Sequence, residues 1–126
     1  MSKKKIDTGK KGGAKSSYEL KGRIWVSGQE GTFVGYGRAV LLERIRDCGS
    51  ISGAAKSMKM SYRHAWRLVD SMNRQAGTPL VETATGGARG GGARLTKAGE
   101  RAIENFLRLH QRLKEFLREE AGNLTW

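Results

Sequence analysis

The chain has 126 residues, enough for one hydrophobic core and short for two domains. Lys plus Arg number 24 against 12 for Asp plus Glu, and the net charge of +12 favours a polyanionic partner such as DNA, RNA or an anionic membrane face; a merely soluble basic protein is the plainer alternative. Cys48, the single cysteine, excludes an intrachain disulfide. No apolar run approaches the roughly 20 residues of a membrane span, and no apolar segment follows the N-terminal lysines as a signal peptide requires, so a cytoplasmic protein is expected.

Residues 1–17 (MSKKKIDTGKKGGAKSS) hold little that can be buried and read as a disordered basic arm. The arm could lie along phosphates or simply aid solubility. Residues 18–126 are the expected folded domain. Leu20 to Ser27 alternates, with Leu20, Gly22, Ile24 and Val26 on one face, which predicts a half-buried strand. Gly28-Gln29-Glu30-Gly31 then supplies turn chemistry before a short strand at Thr32–Val34, making a small hairpin.

From Arg38 to Cys48 the period becomes helical, with Leu41, Leu42, Ile45 and Cys48 in one apolar stripe and Cys48 expected in the core. Gly49 is placed to end this helix, and Ser50 to cap the next one, from Ile51 to about Met58. Lys59-Met60-Ser61 forms the turn, and Ser61 caps a third helix ended by Gly77 and Pro79. Ala54, Ala55 and Met58 face Ala65, Leu68, Val69 and Met72; the small residues let two helices cross closely, as in a helix-turn-helix. Lys59 stands where such turns often need positive φ, so either the turn differs or strain of about 1 kcal/mol is tolerated.

Leu80 to Thr85 reads as a strand, followed by a glycine run holding Arg89 and Arg94 and a return at Leu95, together a β-hairpin wing. Thr96 caps a last helix from Lys97 to about Ala121. Its Ala102, Phe106, Leu109, Leu113 and Phe116 form a heptad-like seam, widened by Ile103, Leu107 and Leu117. Such a stripe exceeds what one small domain covers. A homodimer formed on its later turns is the economical explanation, packing by the N-terminal strand segments the other.

The predicted fold is therefore mostly α with small β hairpins, a winged helix-turn-helix with a long C-terminal dimerisation helix. The outward face of the third helix offers Ser61, Tyr62, Arg63, Arg67 and Arg74 to double-stranded DNA. Tyr62 and Arg63 occupy the first turn, the part that reaches base edges, and Arg is shaped for guanine O6 and N7. Ser61 and its neighbouring N–H groups suit a phosphate. Basic residues on a helix are more often just a solvated face; the turn before and the arginine-bearing hairpin after give these their weight. Trp66 either packs at the inter-helix edge or faces the groove, with core the first choice, and His64 is expected at a boundary. No nucleophilic triad, paired carboxylates, zinc-ligand spacing or phosphate-loop lysine is present, so no enzyme, metal or cofactor is expected.

GSISGAAKSMKMSYRHAW and LVETATGGARGGGARLTKAGE closely resemble the N-terminal winged helix-turn-helix of ModE-type molybdate-dependent transcription regulators. The LT-x-x-G-E ending is also similar to the DNA-binding domain of LysR-type regulators. The resemblance covers roughly Leu20 to Ala121. It implies a dimer built through the last helix, a partly palindromic operator, and DNA contacts at Ser61, Tyr62, Arg63, Arg67, Arg89 and Arg94. Molybdate-responsive members carry oxyanion-binding domains after this module, so molybdate sensing would require a separate domain or partner. A sequence-tolerant nucleic-acid-binding architectural protein is the alternative function.

Overall fold

A computed structural model describes residues 18–84 and 92–126. The element order is β1 (Val26–Gly28), β2 (Gly31–Val34), α1 (Tyr36–Cys48), α2 (Ile51–Ser57), α3 (Tyr62–Ala76), β3 (Val81–Ala84), β4 (Gly92–Leu95) and α4 (Lys97–Asn123). The basic arm expected at 1–17 and the glycine loop with Arg89 lie outside the described residues. Two compact units are present. One comprises residues 25–108, and the described part of the other is 18–24 with 109–126.

In the larger unit, Gly35 precedes α1, which starts two residues earlier than expected and buries Ala39, Leu41, Leu42 and Ile45. Gly49 ends it in the left-handed conformation (φ 74°), donating its N–H to the Ile45 carbonyl at 2.8 Å. Cys48 is exposed rather than in the core. It is the last residue of α1, and the apolar stripe runs out with the helix.

The Ser50 side chain accepts the Gly53 N–H at 2.9 Å and starts α2. The end of α2 shows how the turn is made. Lys59 has φ 57°, its N–H bonds the Lys56 carbonyl, and the Met60 N–H reaches back to the Ala55 carbonyl at 3.0 Å. These are the paired bonds of a Schellman ending, with lysine where glycine is usual. The strain is tolerated. Lys59→Gly is expected to raise stability by up to about 1 kcal/mol, read as a higher denaturant midpoint at unchanged slope.

Ser61 accepts the His64 N–H at 3.0 Å and starts α3, which buries Ala65, Val69 and Met72. Ala54 and Ala55 are buried against them, as the close crossing requires. The first hairpin is shorter than the alternation predicted. β1 pairs antiparallel with β2 only over Val26–Gly28, with an irregularity between Val26 and Ser27. Residues 20–25 form no strand, because β2 ends at Val34 and the chain enters α1, leaving nothing to pair with.

The second hairpin pairs Val81 with Leu95 and Ala84 with Gly92. Asn73 on α3 holds its start: Oδ1 accepts the Leu80 and Val81 N–H groups at 2.8 and 3.2 Å, and Nδ2 donates to the Val81 carbonyl. The Ala93 N–H donates to the Gly49 carbonyl at 2.9 Å, so β4 is tied to the α1–α2 junction. The Thr96 hydroxyl donates to the Pro79 carbonyl and accepts the Gly99 N–H at 3.1 Å, capping α4. Ile103 and Phe106 complete this core.

In the smaller unit residues 18–24 lie against the later turns of α4. Gly22 faces Leu117, where an added Cβ would sit 3.5 Å from Cδ2, and the rings of Tyr18 and Trp126 are 5.9 Å apart. Among the described residues no helix is long and apolar enough to cross a membrane.

Candidate nucleic-acid interface

The buried residues of α3 recur every three to four positions, so the opposite face is left to solvent. Ser61, Tyr62, Arg63 and Arg67 are all exposed. The Ser61 oxygen is occupied as an acceptor by the cap, which leaves its hydroxyl proton available for donation. No hydrogen bond or ion pair engages Arg63 or Arg67 among the described residues. Two cations therefore project from the first two turns of α3, their donors unspent on any described residue.

Arg74 is placed differently. Its guanidinium forms ion pairs with Glu30, at 2.9 Å, and with Asp70. The Glu30 hydrogen bond first, then the charges of Asp70 and Glu30, push its pKa up. Arg94 projects from β4 with most of its side chain exposed and bonds Glu82 across the hairpin at 2.9 Å. Such exposed pairs are weak and open readily to a competing phosphate.

Sequence reasoning missed the polar seam that fastens the first hairpin to α3. The Arg38 guanidinium donates to the Thr32 carbonyl at 2.8 Å and to Ser71 Oγ at 3.1 Å, and burial lowers its pKa. Gln75 donates to the Thr32 carbonyl at 2.9 Å, while Arg74 holds Glu30 at the hairpin tip. The partners are up to 44 residues apart, and no local pattern marks them. Trp66 also departs from expectation. It is 36% exposed rather than core, because it sits on the shoulder between the buried stripe and the outward face. His64 is exposed.

Residues 38–100 match the family described as bacterial regulatory helix-turn-helix protein, lysR family. The chain belongs to that family. It is similar to the transcriptional regulator ModE of Haemophilus influenzae, 43% identical over 78 residues that cover 62% of this chain and 31% of that protein. It is 40% identical over 99 residues to the molybdenum transport protein ModE of Azotobacter vinelandii, covering 73% and 37% of the two chains. With the molybdenum-pterin-binding protein MopA of Rhodobacter capsulatus it shares 47% identity over 73 residues, 58% and 28% of the chains. The chain thus spans about a third of the length of these relatives.

The fold is similar to that in the crystal structure of the CbnR_DBD–DNA complex, with a TM-score of 0.54 at 23% identity, covering 70% of this chain and 99% of that one. As a lysR-family regulatory helix-turn-helix protein, the chain is not an enzyme. The family match ends at Glu100, and the structure gives four residues of its closing LTKAGE a task. Leu95 pairs with Val81, Thr96 caps α4, Gly99 admits the Leu80 carbonyl, and Glu100 pairs with Arg46 at 3.1 Å.

Proposed function

We propose that the chain is a transcription regulator that binds a partly palindromic operator in double-stranded DNA as a homodimer, in the bacterial cytoplasm. The observation that carries this reading is the pair of exposed arginines on the first two turns of α3, Arg63 and Arg67, which form no ion pair or hydrogen bond among the described residues. α3 enters the major groove, with Tyr62 and Arg63 at base edges and Ser61 and Arg67 at phosphates. The wing, with Arg89 and Arg94, lies over the backbone. The similarity to ModE transcriptional regulators, and a fold shared with a domain solved as a DNA complex, support the DNA-binding reading.

The dimer is supported by Phe116, a member of the heptad-like seam on the later turns of α4 that is 56% exposed among the described residues. A dimer reading two half-sites one turn of B-DNA apart requires its two α3 helices about 34 Å from each other. If the molybdenum connection of the ModE relatives extends to this protein, sensing belongs to a separate domain or partner.

Gel shifts against genomic fragments at fixed salt test the reading, together with sedimentation at micromolar concentration. A few fragments bound far above background, by a dimer, are expected. Uniform affinity for all duplexes with steep salt dependence would instead mark a sequence-tolerant architectural protein. A monomer would remove the paired geometry. Arg74 offers a finer check. With its guanidinium shared between Glu30 and Asp70, Arg74→Ala is expected to lower the salt dependence of binding by less than Arg67→Ala, which lowers its slope by about one.

A further inference from the structure

Trp66 and its neighbour Tyr62 have no assigned task in the interface beyond the general placement of Tyr62 at base edges. They stand one helical turn apart on α3, 54% (Tyr62) and 36% (Trp66) exposed. Their ring centroids are 6.3 Å apart with planes at 83°, an edge-to-face pair. That contact restrains both rings against each other, so α3 carries a preorganised apolar shelf rather than two independently moving side chains. Arg63 and Arg67 each follow one ring directly in sequence and border the shelf on the outward face.

An apolar shelf edged by two uncommitted cations is complementary to a surface that sets apolar groups among negative charges. An apolar protein surface is a poor occupant, since closing over the shelf would bury the arginines unpaired. In the major groove, the apolar group on a base edge is the 5-methyl of thymine, and apolar side chains read it by contact.

We propose that Tyr62 and Trp66 form a thymine reader, their rings packing on thymine 5-methyl groups while Arg63 and Arg67 engage guanine edges and phosphates. This rests on the DNA-reading role of α3 proposed above. The rings recognise the methyl by shape and burial, without a hydrogen bond, so the contact separates thymine from uracil although both present the same acceptor.

The test uses the full chain and a random-sequence duplex pool. Duplexes enriched at fixed salt are resynthesised with deoxyuridine in place of thymidine, one position at a time, which removes the methyl alone. Binding is expected to weaken about fourfold at each contacted methyl, as burial of one carbon predicts, at thymines clustered within each half-site. The penalty is expected to vanish in Trp66→Ala or Tyr62→Ala and to survive in Tyr62→Phe, which keeps the ring. The measurement on the unaltered protein stands even where an alanine variant fails to fold. Sequence-selective binding that tolerates deoxyuridine everywhere overturns the thymine reader and leaves the DNA-reading role intact. A penalty that persists undiminished in both folded alanine variants also overturns it, by moving the contact to another residue. Failure to enrich any sequence overturns both readings.

Discussion

Arg63→Ala is expected to weaken binding to the selected operator by about five- to 150-fold, roughly 1–3 kcal/mol, while changing affinity for random duplex much less. Arg63 lies in the first turn of α3, is exposed and makes no ion pair among the described residues. Its fork is therefore available for a bidentate contact without first giving up a partner. Removing it deletes a base contact, and with it discrimination. Arg89→Ala, in the wing loop, is expected to lower affinity for operator and random duplex alike, as loss of a phosphate contact does. Fluorescence anisotropy on both duplexes at one salt concentration measures the difference. Equal losses on both duplexes for both variants would remove the division between a base-reading helix and a backbone-holding wing.

Gly99→Ala is expected to destabilise the fold by about 1–3 kcal/mol, although alanine is the better helix former by about 1 kcal/mol. The reversal of sign comes from contact. A Cβ at position 99 would lie 2.3 Å from the Leu80 carbonyl oxygen and 3.4 Å from Leu95 Cβ. That carbonyl cannot easily withdraw, because it accepts the Thr96 N–H at 3.0 Å and Leu80 is fixed through Asn73. Gly37→Ala in α1 is the control. A Cβ there meets nothing within 4 Å, and the substitution is expected to be neutral or stabilising by up to about 1 kcal/mol. Chemical denaturation of the two variants decides. A Gly99 variant as stable as the control would mean that α4 does not rely on this close approach.

The helix-turn-helix was legible because its signals are local. Gly49, Ser50 and Ser61 mark helix ends through bonds spanning a few residues and Gly77 through its left-handed backbone, and each occupies the end or cap expected of it. Lys59 was recognisable as a misfit in the turn, and the structure shows it accepting the unfavourable backbone. Alternation at Leu20–Ser27 was less informative. It reports which side chains share a face but not whether a strand lies alongside, and residues 18–24 pack on a helix instead. Cys48 and Trp66 fail for a related reason, since both sit at the margin of an apolar stripe, where a shift of one position decides between core and solvent. The seam of Arg38, Ser71, Gln75 and Arg74 joins segments far apart in sequence, so its members look like ordinary surface residues until the chain is folded.

One backbone residue links the two parts of the proposed reader. Gly49 gives its amide to Ile45 at the end of α1 and its carbonyl to the amide of Ala93 in the wing strand. Opening of the base of the wing therefore breaks a bond to the α1–α2 junction as well as the ladder of its own hairpin. In hydrogen exchange the Ala93 amide is expected to be protected by this bond, so that its exchange reports the opening of β4 from the α1–α2 junction.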